Sequence, residues 1–327
     1  MRAIQITETG GAEVLRLREL PTPTPGPGEA LVQIEACGVN FIDVYLREGR
    51  YASPLPFIPG QEAAGVVLAL GPGTDSTDAA SFKVGDRVAW CGVPATYAQF
   101  AVAPVARLIA VPDGITTRQA AAAMLQGMTA HYLAHSTYAI QKGDAVLVHA
   151  GAGGVGLLLI QMAKRQGARV FATVSTEEKA ALARAAGADE AIIYTREDFA
   201  ARVRELTAGA GVRVVYDSVG KTTFEGSLSS LAPRGLLVLF GASSGAVAPI
   251  DLIQLSTRGS LYVTRPGLKD YIASREEMVQ RAGDMLGWVA DGSLKLRIEH
   301  SYALADAAQA HRDLESRKTT GKVLLIP

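Results

Sequence analysis

Along the first third of the chain, apolar positions come in short alternating runs punctuated by glycine and proline; beyond Lys142, longer apolar runs alternate with stretches of helical spacing. The runs at 1–6, 14–20, 29–39, 63–70, 86–90 and 96–102 predict strands, with 21–28 and 51–60 as turn-rich joints. So many short strands predict a compact, barrel-like β-rich domain. Residues 116–135 turn helical, with Thr116 or Thr117 placed to cap the helix. The second rhythm predicts strands at 145–149, 168–174, 191–194, 212–218, 235–241 and 260–264, separated by helices at 155–166, 177–186, 198–207, 222–231 and 251–257. Six strands joined by helical crossovers make a doubly wound parallel sheet, so the fold class is α/β. A helix at 271–290 is followed by strand-like residues 295–302 and 322–326 around a helix at 305–317. The last segment is therefore expected to return to the first domain, with boundaries of 1–122, 123–268 and 269–327, and the cleft between two bodies is the expected place for a substrate.

The sharpest local pattern lies at 145–175. An apolar run leads into Gly151-Ala152-Gly153-Gly154-Val155-Gly156, which fits G-x-G-x-x-G, then into a helix and a second apolar run. Strand, turn, helix and strand are the context in which this fingerprint binds a dinucleotide. Glycine serves a tight turn, a close approach of backbone N–H groups to a pyrophosphate, and close packing of helix on strand. The helix N-terminus adds partial positive charge and unsatisfied donors. Which dinucleotide is decided at the end of the second strand, where an NAD site usually carries an acid. Here the residue is Ser175, which leaves room for a 2′-phosphate, and Lys179 supplies a charge for it. Ser175 and Glu178, three apart at a helix start, read as a capping box, so Glu178 is not the missing acid. NADPH is favoured over NADH.

Lys plus Arg and Asp plus Glu each number 32. That balance offers no basic field for nucleic acid or an anionic membrane and leaves RNA binding unsupported. Residues 1–6 look like a strand rather than a leader, and no run of 18 apolar residues occurs, so a cytoplasmic protein is expected. Cys37 and Cys91 are the only cysteines. They make neither a disulfide framework nor a four-thiolate zinc lobe, and they read as small buried hydrophobes. His131 and His135 have metal-capable i, i+4 spacing but no evident third ligand, His149 ends a strand and reads as structural, and His300 and His311 have no motif around them.

Four segments occur in an order that resembles the medium-chain dehydrogenases/reductases: Gly38-Val39-Asn40-Phe41-Ile42-Asp43, Pro59-Gly60-Gln61-Glu62-Ala63-Ala64-Gly65, Val84-Gly85-Asp86-Arg87-Val88 and His149 through Gly156. Tyr216-Asp217-Ser218-Val219-Gly220, Phe240-Gly241-Ala242-Ser243-Ser244-Gly245 and Tyr262-Val263-Thr264-Arg265-Pro266 are similar to the zinc-free quinone oxidoreductases, the zeta-crystallin-like branch. The likeness covers nearly the whole chain. It implies a GroES-like β-rich catalytic domain, a Rossmann domain and NADPH-dependent reduction of quinones. Asn40 stands where the zinc branch has a catalytic cysteine and Gln61 where it has a histidine; neither amide is a good zinc ligand, so no metal is expected. The chemistry agrees. A ketone taking up a hydride builds an alkoxide that needs a Lewis acid or strong proton donor, whereas a quinone delocalises the charge and chiefly needs orientation and exclusion of water.

By the same resemblance Gly151, Gly153, Gly154, Val155 and Gly156 hold the pyrophosphate, and Lys179, Tyr194 and Arg317, with Ser175 beside them, hold the 2′-phosphate. Asn40, Tyr45, Tyr51, Gln61, Thr129, Phe240, Gly241 and Arg265 fall on the nicotinamide side. Of these Asn40, Tyr45, Tyr51, Gln61 and Thr129 are the catalytic candidates. Tyr45 and Tyr51 are either aromatic walls for a flat substrate, one of them a proton donor, or simply cover a domain edge. Two other readings stay open: an enone or alkenal reductase, and a nucleotide-binding structural or RNA-binding protein with little turnover. Relatives of this branch pair Rossmann edge strands into a homodimer, and 260–264 is the apolar edge available here.

Overall fold

Glu29–Val39 pairs with three other strands and is the longest strand among the described residues. The structure, a computed structural model, describes residues 1–74 and 82–327. Among these the chain divides into two compact units, Met1–Met128 together with Tyr271–Pro327, and Thr129–Asp270.

The first unit begins with β1 (Arg2–Gln5) and β2 (Arg16–Glu19), an antiparallel pair. It continues with β3 (Glu29–Val39), α1 (Phe41–Arg47), β4 (Glu62–Leu70), β5 (Arg87–Cys91), β6 (Phe100–Pro104), β7 (Ile109–Ala110) and α2 (Thr117–Tyr132), the last four residues of which already belong to the second unit. The β3–β4 register shifts twice, between Leu31 and Val32 and between Ile34 and Ala36. Such bulges bend a sheet and increase its twist. At the second shift the strands come so close that a Cβ on Gly65 would lie 1.9 Å from the Gln33 carbonyl oxygen. The curled sheet encloses Ile4, Val32, Trp90, Tyr97 and Leu108, all fully buried. Most strands fall where the sequence sets them, but the run at 96–102 pairs on β3 only from Phe100 (β6), because Tyr97 bonds Pro59 and Ala98 bridges Ala3, and β7 was not expected. The short helix α1 likewise has no counterpart in the periodicity: it is two turns long, and its apolar residues continue the strand before it.

The second unit contains β8 (Ala145–Val148), α3 (Gly154–Arg165), β9 (Arg169–Val174), α4 (Glu177–Ala185), β10 (Glu190–Ile193), α5 (Phe199–Leu206), β11 (Val212–Asp217), α6 (Phe224–Ser230), β12 (Leu231–Leu239), α7 (Ile253–Thr257) and β13 (Tyr262–Thr264). All five pairings are parallel and the strand order is β10-β9-β8-β11-β12-β13. The expected doubly wound sheet is present, and its winding reverses between β8 and β11. Ligands of such sheets bind outside the carboxyl ends of the strands at that reversal. Leu147, Phe171, Ile192, Val215 and Leu237 make the core on one face.

The chain then passes through α8 (Leu268–Tyr271) and α9 (Arg275–Ala290) to β14 (His300–Ala303), α10 (Ala307–Glu315) and β15 (Val323–Ile326). β15 runs antiparallel to β3 and parallel to β14, giving a seven-stranded sheet of order β14-β15-β3-β4-β5-β7 with β6 also on β3.

Four local expectations shift. The helix expected at 271–290 is broken because Ser274 caps α9, its side chain accepting from the Glu277 N–H at 3.1 Å. Of the run at 295–302 only the last three residues pair, in β14 (His300–Ala303), which extends one residue beyond it. β12 begins at Leu231, four residues before the expected start, despite Pro233 and a left-handed Arg234 (φ 60°) that interrupt its apolar pattern. The cap of α4 is Thr176, one residue after the expected Ser175, and its side chain accepts from the Lys179 N–H at 3.3 Å; with a lysine at the third position the expected reciprocal box does not form. No helix among the described residues is long and apolar enough to cross a membrane.

Candidate active site

In the second unit the glycine turn joins β8 to α3. Its tight bend is made by Ala150, in the left-handed region at φ 51°, rather than by a glycine. The glycines serve close approach. A Cβ on Gly156 would lie 2.3 Å from the Ala150 carbonyl oxygen and 3.0 Å from the Gly151 Cα; one on Gly151 would lie 2.8 Å from the Ala172 Cβ of β9. Gly153 caps α3, and Gly154, Val155 and Gly156 form its first turn, whose N–H groups have no intrahelical acceptor. A glycine-rich turn of this kind at a helix N-terminus fits a dinucleotide pyrophosphate.

The ends of β9 and β10 hold the next group. The Tyr194 N–H donates to the Val174 carbonyl at 3.1 Å, and the Thr195 hydroxyl to the Ser175 carbonyl at 2.9 Å, so Ser175 and Tyr194 are neighbours across the strand ends. Lys179 lies in the first turn of α4, held by the Thr176 cap. Tyr194 is exposed, and Ser175 and Lys179 are half-buried. No acid follows directly on β9, which fits a 2′-phosphate. On the other side of the reversal, the Phe240 and Gly241 N–H groups donate to the Asp217 carbonyl at 2.9 and 3.3 Å, and Arg265 donates to the Leu239 carbonyl at 2.8 Å. Gly241 has no room for a Cβ, which would lie 2.5 Å from the Ser218 carbonyl oxygen. Thr129 is buried on α2.

His149 is buried between Thr173 Oγ1 (2.8 Å) and Ser227 Oγ (3.0 Å), and Ser227 donates on to Asp217 at 2.9 Å. Burial lowers its pKa from the ordinary value. A neutral, doubly bonded histidine at this position ties three strand ends together. His131 and His135 stack with ring centroids 4.4 Å apart, where α2 passes into a π-helical turn at Leu133–Thr137. Among the described residues no group of three or more His, Cys, Asp or Glu side chains is placed to hold a metal ion.

In the first unit, Asn40 caps α1 and is almost fully buried. The antiparallel register, with Cys37 opposite Ala63, brings Asn40 and Gln61 to the same end of the β3–β4 pair. Tyr45 is buried on α1, and Tyr51 meets it edge-on at 5.6 Å and 84° while staying 43% exposed. Arg317 follows α10 in the left-handed region (φ 60°).

Two buried polar clusters around Asn40 were not anticipated. In one, the Asn40 side chain donates to Glu62 Oε1 at 2.6 Å and accepts from Lys322 Nζ at 3.0 Å and Gln126 Nε2 at 3.1 Å, while Lys322 and Glu62 pair directly. In the other, Asp43 Oδ2 accepts from the Asn40 N–H (2.9 Å) and the Tyr97 hydroxyl (3.0 Å); Tyr97 meets His311 Nε2 (3.1 Å), and Arg47 joins His311 Nδ1 (3.1 Å) to Glu315 (2.8 Å). Burial pushes Asp43 up to about 7, and burial with the neighbouring Arg47 charge pushes His311 down to about 3. Cys37 and Cys91 are buried, and burial raises both thiols. The available signal was a charge at the head of an apolar strand: Glu62 before Ala63-Ala64-Gly65-Val66-Val67, and Lys322 before Val323-Leu324-Leu325-Ile326.

Residues 26–113 match the alcohol dehydrogenase GroES-like domain, and residues 154–281 match the zinc-binding dehydrogenase family. The chain is 47% identical over 328 residues to a quinone oxidoreductase of Pseudomonas aeruginosa, covering all of this chain and 99% of the relative. The chain belongs to the quinone oxidoreductase family, within the medium-chain dehydrogenases/reductases. A 2-haloacrylate reductase of Burkholderia sp. is also similar, 41% identical over 99% of this chain and 98% of its own. Among solved structures, a mycobacterial protein complexed with NADPH superposes with a TM-score of 0.96, at 51% identity over the full length of both chains. The family assignment agrees with the expected GroES-like and Rossmann architecture.

Proposed function

We propose that this chain reduces quinones with NADPH as electron donor and without a metal ion. The end of β9 carries the reading: Ser175 stands where an acid would select NADH, with Tyr194 beside it and Lys179 in the following helical turn. In this reading the glycine turn and α3 hold the pyrophosphate, and Ser175, Lys179 and Tyr194, with Arg317, bind the 2′-phosphate through charge-assisted hydrogen bonds. NADPH supplies the reducing equivalents from its nicotinamide. The chain orients the acceptor and excludes water: the exposed Tyr51, its ring set edge-on against the buried Tyr45, offers an aromatic wall for a flat ring, and Asn40, Gln61, Thr129, Phe240, Gly241 and Arg265 frame the nicotinamide side. Without metal ligands at Asn40 and Gln61, an acceptor that delocalises its own incoming charge is the chemically suited one.

The test is oxidation of NADPH by purified protein over a panel of para-quinones, 2-haloacrylates and alkenals. Rapid turnover dependent on added quinone is expected. Turnover of only the activated alkenes would move the assignment to the second reading, which the Burkholderia relative favours. Absence of any turnover would favour a non-catalytic nucleotide-binding role. The proposal includes a cytoplasmic homodimer paired through β13, the edge of the parallel sheet, where Tyr262 is 61% exposed. Sedimentation as a monomer at micromolar concentration contradicts that part.

A further inference from the structure

Lys322 and Glu62 form an ion pair that is 3% and 0% exposed. Desolvating two charges is costly, and apolar residues of similar volume commonly hold a fold as well or better, so stability alone gives no reason for the pair. The fold nevertheless clears space for it. Gly38 lies next to the last residue of β3, and a Cβ there would lie 2.1 Å from Glu62 Oε1 and 2.5 Å from Lys322 Nζ. A glycine in a strand weakens packing, and close approach of other groups is the usual reason for one.

What the pair touches gives its role. Both charges bind the Asn40 amide, Glu62 Oε1 accepting from Nδ2 at 2.6 Å and Lys322 Nζ donating to Oδ1 at 3.0 Å. Turned over, the amide would set its oxygen against a carboxylate and its NH2 against an ammonium, so a single orientation is held. The second Glu62 oxygen accepts from the Leu125 N–H on α2 at 2.6 Å, and the next residue, Gln126, donates to Asn40 Oδ1 at 3.1 Å. One carboxylate thus ties together the start of β4, the cap of α1 and the middle of α2.

We propose that Glu62 and Lys322, with Gly38 clearing their space, are positioning residues for quinone reduction: they hold the Asn40 amide in one orientation and α2 in one place, and so govern kcat rather than fold stability or NADPH affinity. The proposal rests on the reading of Asn40 as a nicotinamide-side residue.

The test compares wild type with Glu62→Met/Lys322→Met, Gly38→Ala, Asn40→Ala, and the double variant combined with Asn40→Ala. Thermal unfolding, NADPH fluorescence titration and steady-state quinone kinetics are the readouts. The expected result is a double variant that folds with a Tm near wild type, binds NADPH within about twofold, and loses at least about tenfold in kcat. Gly38→Ala, which displaces the pair without removing a charge, is expected to lower kcat with the same NADPH affinity. Adding Asn40→Ala to the double variant is expected to cost little more, because the pair acts through that amide. A double variant that fails to fold, one that keeps wild-type kcat, or full additivity with Asn40→Ala each overturns the proposal. Wild type without quinone-dependent turnover would instead remove the proposed function itself.

Discussion

Replacing Lys179 by alanine tests the cofactor assignment most directly. Thr176 caps α4 and holds the Lys179 backbone in its first turn, while the β9–β10 pairing sets Tyr194 next to Ser175, and the proposed function assigns this strand end to the ribose 2′-phosphate. A hydrogen bond to a charged group contributes about 1.5–3 kcal/mol. At about 1.4 kcal/mol per factor of ten, that spans roughly 10- to 150-fold in affinity. Lys179 is only half-buried, so solvent and salt screen it and the lower end applies. We therefore expect KM for NADPH to rise about tenfold, KM for NADH to stay nearly constant, and the difference to shrink as ionic strength rises. Arg317→Ala should act in the same direction, and Ser175→Asp should reverse the preference by setting a carboxylate against the phosphate. Steady-state kinetics with both nucleotides at saturating quinone is the assay. Equal losses with NADPH and NADH, or a preference insensitive to salt, would show that this strand end does not read the phosphate.

Three further outcomes follow from the geometry. Gly156→Ala sets a Cβ 2.3 Å from a backbone carbonyl that cannot swing aside, and overpacking of this kind costs about 1–3 kcal/mol; NADPH affinity should fall at least about tenfold by fluorescence titration, and affinity within twofold of wild type would contradict pyrophosphate binding at this turn. Tyr51→Phe keeps the edge-on ring and removes only the hydroxyl, so quinone turnover should fall only modestly, whereas a loss on the order of a thousandfold would make that hydroxyl an essential acid. Burial and Arg47 lower His311 from 6.5 to about 3, so between those values the unfolded chain holds a proton that the native fold does not, and stability is lost as pH falls through that window. Denaturant titrations at pH 4 and pH 7 should therefore show a smaller acid loss for His311→Gln than for wild type, and an equal or larger loss would refute the neutral assignment.

The parallel sheet was legible because four of its strands, β8 to β11, are buried along almost their whole length and each crossover helix has its own period, so the signal lies within a dozen or so residues. The glycine fingerprint was legible for the same reason, although the structure gives the left-handed bend to Ala150 and leaves the glycines the work of close approach. Boundaries slipped where a local competitor intervened. Ser274 capped a helix that the periodicity had carried through, and Thr176 took the cap from Ser175 because it is the residue whose side chain reaches the third N–H of α4. Helix α1 went unseen because seven residues are too few to display a helical period after an apolar strand.

By itself the sequence determined the α/β class, the alternation of strands and helices in the parallel-sheet unit, the glycine turn and the serine that replaces an acid after β9, since each depends on residues close together in the chain. Only the tertiary structure decided what surrounds Asn40. Glu62 is 22 residues from it and Lys322 is 282, and His311 meets Arg47 across 264. A buried charge is tolerable only where it is paired and hydrogen-bonded, and for Glu62 and Lys322 the partner is set by which strands pair, β15 on β3 and β3 on β4, rather than by any spacing along the chain.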